Sequence, residues 1–252
     1  NFKYIHGKPQ EKEVIKNIID YLKVIKILDG FKGSKLGLFG DHPAGYYPAE
    51  FDERALVDLF KVEVEKISLK DIFAQARAIK EKDCTEVIKE VAEKVNGVDK
   101  DKETVKKYAQ MYLALKNMIK EKGMIGAAVE CWPQFFEDYG AAVCGVVSSL
   151  SDEGIMTACE ADINGLISMI IMFQLSEAPA YFGDLVRVDK NKNSGIFWHC
   201  GAGACSLADG KPDASVHPNR KQGLVFDFSL KPGPVTITRL NKTPSEHKLL
   251  IM

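Results

Sequence analysis

Long hydrophobic runs are missing from this chain of 252 residues. The longest nearly apolar stretch, Leu166 to Leu175, is interrupted by Ser168 and Gln174. It reaches about half of the roughly 20 residues that a bilayer span requires, so no membrane-crossing segment is expected. An excess of charge is missing too. The 34 Lys and Arg against 35 Asp and Glu leave a net charge of −1, which excludes a polyanion binder that works by bulk charge, and no nucleic-acid partner is expected. Cysteines at metal-finger spacing are also absent. Cys84, Cys131, Cys144, Cys159, Cys200 and Cys205 are irregularly spaced in apolar contexts and read as reduced core thiols, with no second pair to join Cys200 and Cys205 in a zinc site. Gly37, Gly40 and Gly45 do not form a GxGxxG pattern, which removes support for dinucleotide binding. No basic-then-apolar leader precedes the first periodic segment, and the first residue is Asn1. The sequence is therefore expected to be a piece of a longer, cytoplasmic polypeptide.

What is present is the composition of a globular protein, 46% hydrophobic and 27% charged, long enough for one large domain or two ordinary ones. Apolar residues from Lys12 to Lys23 fall at helical spacing. Lys35 to Gly40 reads as a strand, Asp41 to Pro48 as a loop, and Asp52 to Phe60 as an amphipathic helix. Lys61 to Glu65 alternates as an edge strand does, and Ser68 is placed to cap a helix starting at Leu69. Long solvent-facing helices are expected over 71–95 and 102–122, with mixed charge runs that point to solvated faces. Met124 to Cys131 reads as a strand, Ala141 to Val147 as a further apolar strand-like run, and Met156 to Asp184 as strand, helix, strand. From Ala178 on, candidate strands over 180–182, 195–198, 223–228 and 235–240 alternate with Gly, Pro, Asn and Asp loops. The expected class is α/β: a Rossmann-like α/β domain over 1–175, then a β-rich, barrel-like domain over 176–252.

Chemistry concentrates where the candidate strands end. If the strands flanking the helix after Asp162 run parallel, Glu160 and Asp184 leave the same sheet edge, and His199 follows the next strand. Two carboxylates and an imidazole suit a divalent cation such as manganese or magnesium, and also suit proton shuttling, since crowded carboxylates leave one acid beside one base. The bland alternative stays open on spacing alone: Glu160 and Asp162 are ordinary helix-start acids, and Asp184 an ordinary turn residue.

The segments Ala-Cys-Glu160-Ala-Asp162-Ile-Asn-Gly165, Tyr-Phe-Gly-Asp184, His199-Cys-Gly and Gly233-Pro-Val-Thr-Ile-Thr-Arg239 together resemble the fucose and arabinose isomerase superfamily, from about Gly123 onward. The resemblance implies an aldose–ketose isomerase working through an enediol. It implies a divalent metal, usually manganese, bound by residues at the Glu160 and Asp184 positions, which also act as acid and base. His199 resembles the metal-ligand histidine of arabinose isomerases. A cytoplasmic homo-oligomer, trimer or hexamer, is implied as well. The superfamily pattern includes an additional amino-terminal domain and, after the motif ending here at Arg239, a segment with a final metal-ligand histidine. His247 does not match that segment and reads as a surface residue. The missing histidine keeps a second reading open, a non-catalytic sugar-binding or scaffold relative of the same fold.

Four further residues are candidates for sugar contacts. Trp132 and Gln134 follow a strand end and can form a sugar wall or donate to hydroxyls, although a packing Trp fits equally. His42 sits in the loop after Gly40 and His217 in Ser215-Val-His-Pro218; each can line a cleft or simply pin a turn.

Overall fold

The computed structural model describes residues 3–243 and 246–252. Its centre is a parallel sheet of β1 (Lys35–Phe39), β2 (Glu63–Ile67), β3 (Met124–Val129) and β4 (Thr157–Ala158), in the order β2-β1-β3-β4. β1 and β3 are buried on both faces because helices cover both, and apart from Lys35 at the start of β1 their sequences are accordingly apolar. β2, which alternates charged and apolar residues, forms the sheet edge as its pattern predicts, two residues later than expected.

Side chains of β1 divide by their period of two. Leu36 and Leu38 enter a core with α1 (Lys12–Phe31), α2 (Glu53–Phe60) and α7 (Ile163–Ser176), whereas Phe39 enters the core on the other face. That second core holds α3 (Leu69–Ala78), α4 (Glu81–Lys94), α5 (Glu103–Glu121) and α6 (Cys144–Asp152). Ser68 caps α3 by accepting the Asp71 N–H, and Asp52 caps α2 by accepting that of Ala55.

Three expectations are corrected. The single helix over 71–95 is two helices, α3 and α4, separated by extended backbone at Ile79 and Lys80, where the Gln110 side chain on α5 donates to the Ile79 carbonyl. The run Ala141 to Val147 leads into α6 rather than forming a strand. The helix is buried along most of its length, Ser148 and Ser151 included, so its polar residues mark no solvent face and the periodicity that separates helix from strand is lost. Residues 180–182 form no strand. The strand that follows, β5 (Asp184–Asp189), pairs antiparallel with β6 (Ser194–Trp198), so the expected parallel crossover through α7 does not occur. Residues of β5 and β6 are largely exposed, incompatible with a doubly covered parallel strand.

Among the described residues two more antiparallel pairs follow: β7 (Asp213–Ser215) with β8 (Val225–Asp227), and β9 (Thr238–Lys242) with β10 (His247–Ile251). β9 packs on α7, and Leu240 enters its core. No described helix is long and apolar enough to cross a membrane.

At Gly126 in β3 a Cβ atom would lie 2.7 Å from the Met156 carbonyl oxygen, next to Leu166 and Ile170. Gly126→Ala therefore forces β3 and the segment entering β4 apart. It is expected to lower stability by about 1–3 kcal/mol in urea unfolding; an unchanged midpoint would contradict this packing.

Candidate active site

β4 ends in an unusual way. After Cys159, both Glu160 (φ 60°) and Ala161 (φ 55°) adopt left-handed backbone, a region that residues with a Cβ seldom enter. Two such residues in succession cost of order 1 kcal/mol or more each, and strain of this kind concentrates at functional positions. The turn is pinned by the Ala161 N–H donating to the Val129 carbonyl at 3.0 Å and by the Asp162 N–H donating to that of Cys159 at 3.2 Å. Asp162 then caps α7, accepting the Gly165 N–H at 2.7 Å, and pairs with Arg239 of β9, whose guanidinium also donates to the Pro48 carbonyl at 2.9 Å. This arrangement turns the Glu160 side chain out at the carboxyl edge of the sheet.

The other two groups arrive on the hairpin. Asp184 opens β5 and pairs in register with Trp198, so His199, the next residue, lies beside it. Ligand atoms of Glu160, Asp184 and His199 all fall within 4.8 Å of one another. The structure thus brings the three residues together by a path different from the expected parallel one. His199 is buried, Glu160 half-buried and Asp184 exposed. Among the described residues, no Lys or Arg forms an ion pair with Glu160 or Asp184.

Burial raises the Glu160 carboxyl above its usual range, and the charges of Asp184 and Asp162 add to this, while the Tyr46 hydroxyl and His199 oppose it. Burial works against charging His199, yet its contact with Cys200 and the charges of Glu160 and Asp184 outweigh burial and leave its pKa raised. Tyr46 is the residue that sequence reasoning missed. Its hydroxyl faces Glu160, and burial together with that carboxylate drives the phenol strongly upward. The loop after β1 was singled out through His42 only, and nothing local marks Tyr46 as the member that reaches β4.

A cleft of about 680 Å³ opens over the ends of β1, β2 and β3, lined by Gly40, Asp41, Ser68, Glu130 and Gln134 among others. Gly40 (φ 88°) is required here, since a Cβ would collide with Glu130. Glu130 accepts the Asp41 N–H at 2.8 Å, and burial pushes its carboxyl up. Glu160 leaves the same sheet edge one strand further on, beyond the residues that line the cleft.

The remaining candidates separate. Gln134 lines the cleft, and its Oε1 is buried without a partner. Trp132 packs against the hydrophobic core. His42 Nδ1 lies 3.1 Å from the carboxylate of its neighbour Asp41. His217 is buried edge-on to Phe136 and lies within 4.8 Å of Cys144 and Cys200, outside the carboxylate group. His247 lies in β10.

No family model matches the chain. It is 38% identical over 254 aligned positions to a protein of Priestia megaterium named sulfoquinovose isomerase, covering all of this chain and 57% of the relative. Proteins of the same name from Alkalicoccus urumqiensis and a Clostridium species are 37% and 32% identical, covering 99% and 100% of this chain and again 57% of each relative. Over its whole length the chain is similar to proteins named sulfoquinovose isomerase. The resemblance to sugar isomerases of the fucose and arabinose type is thereby borne out over the whole chain, not only from Gly123 onward. The chain spans a little over half the length of the curated relatives it matches.

Two outcomes test this geometry. A carboxyl whose pKa is raised on folding favours the folded state while protonated and loses that advantage as pH climbs through its folded value. In metal-free thermal melts, wild type should therefore lose stability relative to Glu160→Gln as pH rises above the ordinary glutamate range, the two converging in acid; the opposite slope would refute the burial effect. Arg239→Ala leaves the buried Asp162 carboxylate uncompensated and is expected to cost about 3 kcal/mol in chemical denaturation.

Proposed function

We propose that this chain carries the catalytic centre of a divalent-metal-dependent aldose–ketose isomerase acting on sulfoquinovose or a related sugar. The observation that carries the reading is the convergence of Glu160, Asp184 and His199 within 4.8 Å, joined to homology with named sugar isomerases. The donor set fits manganese or a similar cation. Two carboxylate oxygens and one imidazole nitrogen suit hard-to-borderline divalent metals, and with no Lys or Arg paired to the two acids among the described residues, a bound cation would balance their charge. When bound, the cation supplies Lewis-acid stabilisation of the negative charge that develops on neighbouring sugar oxygens.

The chain's own residues do the rest. Of Glu160 and Asp184, one takes the proton from C2 of the aldose as O1 gains a proton, giving an enediol, and a carboxyl returns a proton to C1 as the O2 hydroxyl gives up its own, leaving the ketose. The two carboxylates titrate as a pair, so the roles belong to the pair rather than to either residue. Burial raises the proton affinity of Glu160, which suits it to proton transfer. Tyr46 orients the Glu160 carboxylate, and Gln134, which lines the neighbouring cleft, is the residue assigned to a sugar hydroxyl. Trp132, His42 and His217 keep the weaker role of shaping the surroundings.

We further read residues 176–252 as belonging to a β-rich, barrel-like unit distinct from the Rossmann-like part over 1–175, and the working protein as a cytoplasmic homo-oligomer, trimer or hexamer. These rest on the superfamily resemblance.

The test is ketose formation from sulfoquinovose and a panel of pentoses, hexoses and 6-deoxy sugars, with manganese titrated against a chelator. Conversion is expected with metal and should vanish with chelator. Glu160→Gln should lose turnover while keeping its circular-dichroism spectrum. Near-normal turnover in that variant would remove the proposed role, and manganese binding without conversion of any sugar would favour a sugar-binding relative that lacks the chemistry.

A further inference from the structure

Behind His199 lies a group of sulfur atoms that the isomerase chemistry does not use. Cys200 Sγ is 3.4 Å from His199 Nδ1 and 3.4 Å from Cys144 Sγ. Cys144 in turn adjoins Cys159, which adjoins Cys131. These four cysteines are free thiols; Cys131, Cys144 and Cys159 are buried, and Cys200 is the one partly open to solvent.

Cys144, Cys200 and His217 lie close enough together to suggest a second, soft metal site. His217 argues against it. Its Nδ1 accepts the Arg220 backbone N–H at 3.2 Å, so that nitrogen's lone pair is occupied and the ring proton of the neutral imidazole sits on Nε2. Neither nitrogen is left to bind a metal, whereas metal-bound histidines direct their second nitrogen to an acceptor rather than a donor. The trio is better suited to sulfur chemistry.

We propose that Cys144 and Cys200 form an oxidation site for peroxides, closing to a disulfide that detaches Cys200 from His199. Hydrogen peroxide oxidises the thiol of Cys200, the more exposed of the two, to a sulfenic acid, releasing water. The Cys144 thiol then displaces the hydroxyl, releasing a second water and leaving the disulfide, so that two thiols are oxidised and one peroxide is reduced. The sulfurs must approach to roughly 2.05 Å. Cys200 can supply that movement, because it lies in the Cys200-Gly-Ala-Gly203 loop that follows the exposed β5–β6 hairpin, whereas Cys144 starts α6 within the core. Drawing Cys200 toward Cys144 takes from His199 the side-chain contact on its Nδ1 face, and outer contacts of this kind orient a ligating imidazole. Oxidation of the pair therefore weakens metal binding. That last step rests on the proposed metal role of His199; the disulfide itself does not.

The purified protein is treated with hydrogen peroxide, its remaining thiols alkylated, and its peptides mapped without reduction. The expected product joins Cys144 to Cys200 and is reversed by dithiothreitol. Cys144→Ser should give no linkage at Cys200, and Cys200→Ser should leave Cys144 reduced. A Cys144–Cys159 linkage, or four thiols that stay free, would overturn the proposal. In parallel, manganese affinity is measured by electron paramagnetic resonance on the reduced and oxidised protein. A loss of about 10-fold or more on oxidation is expected, restored by dithiothreitol and absent in Cys144→Ser. Equal affinity in both forms, with the linkage present, overturns the coupling to His199. A reduced protein that binds no manganese defeats the metal reading instead, and the peptide map still decides the disulfide.

Discussion

Asp162 is the charge around which the candidate site is assembled. Its carboxylate is almost fully buried, and such a group persists only when every oxygen is answered. One oxygen accepts the Gly165 N–H at the start of α7, and the other meets Arg239 from β9. The same Arg239 reaches the Pro48 carbonyl in the loop that carries Tyr46. One buried ion pair thus fixes the start of α7, the position of β9 and the loop after β1. It also terminates the left-handed turn at Glu160 and Ala161, which would otherwise have little reason to hold a strained backbone.

The three candidate ligands come from two differently built supports. Glu160 stands on the parallel sheet, held by hydrogen bonds between β3 and the turn after β4. Asp184 and His199 stand at the base of a two-stranded hairpin with largely exposed residues, and a ribbon of that size gains little stability on its own. The spacing of the group therefore depends on how the hairpin base is seated, through contacts such as the edge-on packing of Phe182 against His199. Rigidity on one side and a lightly supported ribbon on the other meet in a site where two like charges gather beside an imidazole, with no Lys or Arg paired to them among the described residues.

Strong local signals made much of this visible in the sequence. The Ser68 and Asp162 caps, the apolar β1 and β3, and the alternating β2 each state their structure within a few residues, and the described elements begin close to where those signals lie. The failures occur where the local pattern is silent or shared. Polar residues of α6 such as Ser148 and Ser151 are buried with the apolar ones and so do not reveal its period, and the break at Ile79 and Lys80 carries neither Gly nor Pro. Glu160, Asp184 and His199 were recognisable as acids and an imidazole at strand ends, although the route joining them was read as a parallel crossover when hairpin register accomplishes it. Tyr46 and the Cys144–Cys200 contact were illegible for a different reason. Each depends on which segments become neighbours, residues 46 with 160 and 144 with 200, and no single stretch of sequence contains both partners.

The sheet order carries a consequence for how the molecule is made. β1 pairs with β3, setting Leu36 beside Gly126, and only against β3 can β4 find its place. Most of the first half of the chain must be gathered into one loop before that pairing gains anything, and the entropy of closing such loops makes non-local parallel pairing slow. Helices α3, α4 and α5 can form within that loop while it is still open, since their mutual contacts are nearer in sequence. The strand that delivers Glu160 is the last of the sheet in chain order and the shortest. The position of Glu160 thus depends on the closure of the β1–β3 scaffold beneath it.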